Sequence, residues 1–439
     1  MIVAPNKVFA QLRRQVAEEI SQMARYVDEV VQLAPLDHDS GQLLDFVDAK
    51  RKRVARSVEE LKLDLSLDAR ALIVLNGNFN HSFDIEGLLR SLKPNVARGT
   101  RIAVVLYNPY LEGIHQLAHE WGLRPGDAPS TFITSVDLSN VCRLAGFDIA
   151  RERPTSFIPF GEATRGLNRL VRATPIVRRA SLASVVVLRP IVPSENLPSL
   201  SVVIPARNER GNIEDALIRL RPLNERVPME VVFVEGNSTD GTWDEIQRVV
   251  ATYSEEYELK AFKQPGKGKN DAVRVGFTHA SKDLLTILDA DLTMPPELLH
   301  RFYDAYVAGR GDFINGSRLT YPMEGEAMRP LNRLGNVFFA KSLSFVLDTP
   351  LSDSLCGTKL LSRRDYERVI RWRQDFGDFD PFGDFELLFP ASTLALGIVD
   401  VPVRYRARTY GETNIRRFRD GAKLLGMTQV GLRRVRMGK

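Results

Sequence analysis

The chain has 439 residues, of which 44% are hydrophobic and 26% are charged, and its formal net charge is +5. This length exceeds one ordinary domain and predicts two or three. Two cysteines, Cys142 and Cys356, are too few for a disulfide framework. The first residues lack the apolar core of a signal peptide, and no uninterrupted apolar stretch of about 18 residues occurs. The sequence therefore predicts a cytoplasmic protein, either soluble or at the inner face of the plasma membrane.

Basic residues are concentrated in two segments of the chain. Residues 404–439 hold eleven Lys or Arg against two acids, and residues 165–189 hold six Arg and no acid. Such segments suit phosphates, whether on a nucleotide, an anionic lipid or a nucleic acid. A solvated basic surface explains either segment equally well.

The first part of the chain alternates helical patterns with short apolar runs. Residues 1–32 are predicted to form one amphipathic helix. Apolar runs at 30–33, 71–75, 102–106 and 184–188 predict the strands of a small, mostly parallel sheet with helices on its faces. A Pro- and Ser-rich segment at 191–199 predicts a linker, so the first domain is assigned to residues 1–190.

Two segments of this domain, ALIVLNGNFNH at 71–81 and SVDLSNVCRLAGFDIARE at 135–152, resemble the class I methyltransferase fold. That family binds S-adenosylmethionine on a glycine-rich loop after its first strand, because glycine lets the backbone approach the ligand closely. The equivalent loop here has Gly41 as its single glycine. The resemblance implies a truncated, degenerate, Rossmann-like module without the cofactor. An active N-terminal methyltransferase is the alternative.

Several strands of the second part are predicted to end on polar residues. One strand is followed by Arg207 and Glu209, the next ends on Glu235, and an apolar run at 284–288 stops at Asp289 and Asp291. In open parallel sheets, ligands bind just beyond the carboxyl ends of the strands. Alternate residues of an extended chain point to the same side, so the two aspartates can converge on one cation.

A glycine- and lysine-rich loop precedes this carboxylate pair. Gly266 and Gly268 alternate with Lys267 and Lys269, and a helix is predicted to begin near Asn270. Backbone N–H groups at such a helix start can cradle a diphosphate. The loop alone is a weak signal, and its position directly upstream of the carboxylates strengthens it.

The motifs VVIPARNE, VEGNSTDGT, GKGKNDAVRVGF, LDADLTMPP and FINGSR, in this order, resemble family 2 of the inverting glycosyltransferases, in particular the dolichyl-phosphate mannose synthase type. The resemblance covers residues 200–420 and leaves 421–439 as a basic C-terminal tail. It implies an α/β chain of two domains, in which a GT-A nucleotide-diphospho-sugar transferase domain follows the truncated methyltransferase-like sheet. The implied donor is a UDP- or GDP-sugar. The implied acceptor is a polyprenyl phosphate or another cell-envelope acceptor such as a glycan, with a peripheral membrane contact and no nucleic-acid partner.

The resemblance also assigns the site residues. Asp289 and Asp291 become a DxD motif that holds Mg²⁺ or Mn²⁺ against the diphosphate, and oxygen ligands suit these hard cations. Nucleotide-sugar contacts are implied for Pro205, Arg207, Glu209, Glu235, Lys269, Asp289, Arg318, Arg329 (or Arg333), Arg406 and Arg408.

The implied catalytic residues are Asp291, through the cation, and Asp384 in the motif GDFEL. With a hydroxyl acceptor, Asp384 would remove its proton as general base. With a lipid phosphate, which is already ionised, Asp384 would only position the acceptor. A non-enzymatic alternative is a nucleotide-sugar sensor on a docking or membrane-binding platform.

Overall fold

The computed structural model describes residues 5–39, 42–66, 69–157, 165–175, 177–322, 330–378, 380, 382–408, 410 and 417–437. Its first half contains α1 (Pro5–Ala24), β1 (Glu29–Leu33), α2 (Gln42–Asp45), β2 (Lys52–Ala55), β3 (Ala71–Asn76), α3 (Ile85–Leu92), β4 (Arg101–Tyr107), α4 (Glu112–Glu120), α5 (Ser135–Leu144), β5 (Phe147–Thr155), α6 (Arg165–Arg172) and β6 (Ala183–Pro190). These strands form a six-stranded sheet of order β2-β1-β3-β4-β6-β5. The first four are parallel, and β6 runs antiparallel to both of its neighbours.

The second half contains β7 (Leu200–Ala206), α7 (Ile213–Asn224), β8 (Met229–Glu235), α8 (Thr242–Tyr253), β9 (Glu258–Lys263), α9 (Lys269–His279), β10 (Leu284–Ile287), α10 (Leu299–Val307), β11 (Phe313–Ser317), α11 (Pro330–Leu347), β12 (Lys359–Ser362), α12 (Arg363–Phe376), α13 (Asp384–Thr393), β13 (Ile398–Pro402) and α14 (Arg417–Gly431). The seven-stranded sheet has the order β13-β11-β12-β10-β7-β8-β9. Among the described strands of this sheet, β12 alone runs antiparallel to its neighbours, β10 and β11. Two mixed sheets with helices on their faces confirm the predicted α/β class.

The predicted helix over residues 1–32 is wrong at its C-terminal end. The helix α1 ends at Ala24, and Val30 and Val31 belong to β1, where Val31 pairs with Ile73 of β3. Both valines are fully buried. The β-branched side chains fit a pleated strand, and burial in the sheet outweighs the continued helical spacing.

The predicted basic tail is a folded part of the molecule. The helix α14 crosses the expected boundary at residue 420, and one π-helical turn (Leu432–Arg436) follows it. Met427 and Val435 are buried in the core of the second half. Among the described helices, none is long and apolar enough to cross a membrane.

Buried arginines of the first half join the two sheets. Arg98 and Arg101 both contact the buried carboxylate of Asp312, at 2.9 and 2.7 Å. Arg101 also donates to the carbonyl of Ala395 at 2.6 Å, and Arg151 donates to that of Ser392 at 3.2 Å, both at the C-terminal end of α13. Cations stabilise helix C-termini, and buried charges require such partners. The two halves therefore share one charged, buried junction.

Candidate active site

Asp289 and Asp291 lie at the carboxyl end of β10, in the centre of the second sheet. The strand is fully buried, and the chain turns directly after it, with Leu292 in the left-handed region at φ 51°. The backbone N–H and hydroxyl of Thr293 both donate to Asp291 Oδ1, at 3.1 and 2.7 Å. This local turn fixes one oxygen of Asp291 and leaves Oδ2 for another partner.

Lys269, the first residue of α9, forms an ion pair with Asp289. Burial would lower the pKa of Lys269, but Asp289, Asp384 and Asp291 act in the opposite direction, and the result is a raised pKa. The backbone of Gly357 approaches closely, and a side chain there would collide with both the Asp289 carboxylate and the Lys269 ammonium. The glycine leaves room for the two charged groups to meet in this arrangement.

Asp384 is the first residue of α13 and accepts a 2.5 Å hydrogen bond from Lys359 Nζ. Lys359 is fully buried at the start of β12 and also donates to the carbonyl of Cys356. Because β12 is antiparallel to β10, its first residue lies at the carboxyl end of that strand. The sequence reasoning missed Lys359, although a lysine that opens an apolar run two residues after Gly357 was a usable signal.

Two acidic residues fix the start of α13. Asp380 accepts hydrogen bonds from the N–H groups of Phe385 and Glu386, at 2.7 and 2.9 Å, and burial raises its pKa to about 6. Glu386 accepts from Asn270 Nδ2 at 2.7 Å and pairs with Arg373 at 2.6 Å. Asn270 belongs to α9, so the helix that carries Lys269 is tied to the helix that carries Asp384.

The predicted nucleotide contacts on β7 and β8 lie along the same edge. Pro205 is half-buried and Arg207 is exposed. Glu209 is buried and accepts from Asn212 Nδ2 at 2.7 Å, and its burial raises its pKa to about 7 against that hydrogen bond. The Glu235 carboxylate is also buried and accepts from the N–H of Ser238, so it shapes the turn after β8.

The predicted phosphate-binding arginines are in three different situations. The guanidinium of Arg318 is held by both oxygens of Asp353, at 2.7 and 2.9 Å, so its planar fork is engaged within the protein. Arg333 is exposed on α11. Arg329 lies outside the described residues. Phosphate binding by any of the three stays a prediction.

The segment after β13 crosses this edge of the sheet. The N–H of Arg406 donates to the carbonyl of Thr293 at 2.8 Å, and Arg408 Nη2 donates to Asp291 Oδ2 at 2.5 Å. Tyr410 packs against the backbone of Gly211, and its hydroxyl lies 3.3 Å from Asp240 Oδ2. The segment therefore reaches from the carboxylate pair to the loop after β7.

The donor set fits a hard divalent cation. Within the described residues, no group of three or more His, Cys, Asp or Glu is arranged to enclose a metal. Mg²⁺ and Mn²⁺ sites in nucleotide-using enzymes need fewer protein ligands, since one or two carboxylates suffice when phosphate oxygens and water supply the rest. Asp289 and Asp291 have the chemistry of such a pair, and metal binding by them stays a prediction.

Comparisons with known proteins agree with the motifs. Residues 201–370 match the family model described as Glycosyl transferase family 2. The chain therefore carries a family 2 glycosyltransferase domain, as its motifs predicted. The methyltransferase-like interpretation of the first half stays a prediction.

Two curated relatives align with this domain. A dolichol-phosphate mannosyltransferase of Pyrococcus furiosus is 36% identical over 120 residues, and the match spans 27% of this chain and only 33% of that relative. A dolichyl-phosphate hexose transferase of Haloferax volcanii is 29% identical over 225 residues, which are 51% of this chain and 90% of the relative. Among solved structures, the glucosyl-3-phosphoglycerate synthase of Mycobacterium tuberculosis in complex with Mn²⁺, UDP and phosphoglyceric acid covers 55% of this chain and 79% of its own, with 18% identity and a TM-score of 0.40.

Proposed function

We propose that the chain is a metal-dependent inverting glycosyltransferase of GT-A architecture that moves a sugar from a UDP- or GDP-sugar to a polyprenyl phosphate or another cell-envelope acceptor. One observation carries the proposal. Asp289 and Asp291 from one motif and Asp384 from another each pair with a cation of the chain, respectively Lys269, Arg408 and Lys359, at one edge of the second sheet. This edge is where ligands bind in open α/β sheets.

The proposed chemistry follows from the charges at this edge. A bound Mg²⁺ or Mn²⁺ would offset the negative charge that grows on the diphosphate as the bond to the sugar breaks. Asp289 and Asp291 would hold it, and Lys269 and Arg408 would donate to the diphosphate oxygens. The acceptor oxygen attacks the anomeric carbon from the face opposite the leaving diphosphate, so the configuration at that carbon inverts.

A lipid-phosphate acceptor is favoured by two observations. The names of both curated relatives refer to dolichol or dolichyl phosphate. In addition, one face of α11 carries the exposed side chains of Leu334, Val337 and Phe338 together with Arg333 and Lys341, and α14, which packs against α11, exposes Leu425, Arg419 and Lys423. Such a surface suits an anionic bilayer, and we propose a peripheral contact at the inner face of the plasma membrane.

For the first half we propose a degenerate, non-catalytic, methyltransferase-like module. In the described part of the loop after β1, where the cofactor would bind, the acidic side chain of Asp39 is engaged within the protein. Asp39 is buried there and accepts hydrogen bonds from Gln32 Nε2 at 2.5 Å and Asn76 Nδ2 at 2.7 Å. These contacts support the loss of the cofactor site and disfavour the methyltransferase alternative.

The test is a panel of UDP- and GDP-sugars, each with Mn²⁺ or Mg²⁺, against a detergent-solubilised polyprenyl phosphate. We expect one donor to raise the thermal midpoint with metal and to transfer its sugar, and transfer to stop in chelator. Binding without transfer or hydrolysis would support the sensor alternative. Failure of every donor to bind with either metal would overturn the proposal.

A further inference from the structure

The two carboxylates proposed to hold the cation are already paired with cations of the chain itself. Lys269 pairs with Asp289, and Arg408 lies 2.5 Å from Asp291 Oδ2. The other oxygen of Asp291 is engaged by Thr293, and the Asp291 side chain is about 10% exposed. Arg408 therefore occupies the accessible oxygen of a nearly buried carboxylate.

The segment that carries Arg408 is held on both sides of this residue, so the position of Arg408 does not depend on its flexible side chain alone. On one side of it, the N–H of Arg406 is bonded to the carbonyl of Thr293, two residues after Asp291. On the other side, Tyr410 packs against Gly211. The guanidinium also lies 3.5 Å from Glu209 Oε1, so two carboxylates hold it over the edge of the sheet.

A divalent cation and this guanidinium cannot use Asp291 Oδ2 together, because like charges at such a distance repel strongly in a partly buried site. A cation that arrives alone must displace Arg408 from both carboxylates. A diphosphate that arrives with the cation offers Arg408 new oxygen partners of the geometry that arginine prefers. The displacement then costs little.

We infer that Arg408 couples cation binding to diphosphate binding: it competes with the cation for Asp291 in the free protein and moves to the diphosphate when the nucleotide binds. The inference rests on the proposed function and specifies how its site is regulated. Coupling of this kind is reciprocal, so the cation must strengthen nucleotide binding by the same factor as the nucleotide strengthens cation binding.

The experiment measures Mn²⁺ binding to the full chain by calorimetry and by the electron paramagnetic resonance signal of free Mn²⁺, with and without saturating UDP or GDP. For Arg408→Gln we expect Mn²⁺ alone to bind about 10-fold more tightly than in the wild type, and Mn²⁺ with the nucleotide to bind less tightly. The factor that couples the two ligands should fall accordingly. Arg408→Lys keeps the charge but loses the planar fork, so it should still compete with Mn²⁺ alone but should couple the two ligands less strongly than the wild type.

Arg404→Gln is the matched control, because it removes an exposed arginine of the same segment and changes the net charge equally. It should leave both Mn²⁺ affinities unchanged. If Arg408→Gln binds free Mn²⁺ no more tightly than the wild type, or if Arg404→Gln reproduces its effect, the inference is overturned. Wild-type protein that binds neither UDP nor GDP would instead count against the proposed function, since the comparison of Mn²⁺ alone does not depend on the nucleotide.

Discussion

The carboxyl edges of the two sheets differ in what surrounds their acidic residues. At the first edge, the amides of Gln32 and Asn76 and the guanidinium of Arg13 engage Asp39, whose side chain is almost fully buried. At the second edge, Asp289 and its partner Lys269 are 27% and 36% exposed, respectively, so solvent reaches both charged groups. In both halves the carboxyl ends of parallel strands form an edge of the sheet. We expect a ligand to bind at such an edge only where the loops leave charged groups accessible.

The largest effect is expected from Asp291→Asn at the second edge. The asparagine keeps the shape and the contacts with Thr293 but removes the charge that would hold the cation, so turnover should fall at least about 100-fold. Single-turnover transfer with the wild type and the variant at matched Mn²⁺ concentration measures it. Full activity of the variant in chelator would show that the second edge does not depend on a cation held by Asp291.

A second large effect is expected at the junction, where the first half supports the second. Asp312→Asn leaves Arg98 and Arg101 buried with a neutral partner and should lower the free energy of unfolding at pH 7 by about 3 kcal/mol. Urea unfolding measures it. Asp304→Asn, which removes an exposed ion pair with Arg226, is the control and should cost less than about 1 kcal/mol.

The stability contributed by Asp312 should depend on pH. Burial alone would raise the pKa of Asp312, but Arg101 and Arg98 hold it well below its usual value in the folded chain. Its contribution is therefore complete above the pKa of the unfolded chain, about 4, and is lost as the pH falls towards the folded pKa. The difference between the wild type and Asp312→Asn should shrink below pH 4. A difference that stays constant between pH 7 and pH 3 would contradict the ion-pair explanation.

A smaller effect is expected from Asp384→Asn if the acceptor is a lipid phosphate. Its nucleophile is already an anion, so the rate should fall less than about 10-fold, whereas loss of a general base for a hydroxyl acceptor typically costs about 10² to 10⁴. Single-turnover rates with both acceptor classes and the established donor separate the two cases. A large loss with a proven lipid-phosphate acceptor, at unchanged donor affinity, would show that the anion does not make the base dispensable.

Lys359 needs a control of its own in that experiment, because Asp384→Asn leaves its buried ammonium without a carboxylate. The double variant Asp384→Asn with Lys359→Met removes both charges. If the single variant is slow only because Lys359 is unpaired, the double variant should recover part of the rate. If the carboxylate itself acts, the double variant should be no faster.

The smallest expected signal is at the first edge, where S-adenosylmethionine should not bind appreciably. Asp39 is held there by Gln32, Asn76 and Arg13, and replacing this network with a ligand would cost the protein its buried contacts. Calorimetry tests the prediction. A micromolar dissociation constant would remove the contrast between the two edges.

The sequence predicted those parts of the site that depend on local backbone rules. The ends of β8 and β10, the start of α9 and the carboxylate pair follow from apolar runs that stop at Gly, Asp or Pro. Contacts between distant segments could not be predicted in this way. Lys359 meets Asp384, and Arg408 meets Asp291, only because β12 lies beside β10 and the segment after β13 folds back over the edge. The helix over 1–32 failed because tertiary pairing in β1 overrode a helical pattern.

The buried arginines that join the two halves limit how the second half could be separated from the first by recombination. A chain that began at Leu200 would lack Arg101 and Arg151, which hold Asp312 and the carbonyl end of α13, the helix whose first residue is Asp384. In this protein, recombination that exchanges one half without the other would separate a buried carboxylate from its counter-charges, so the two halves are expected to pass between genomes together.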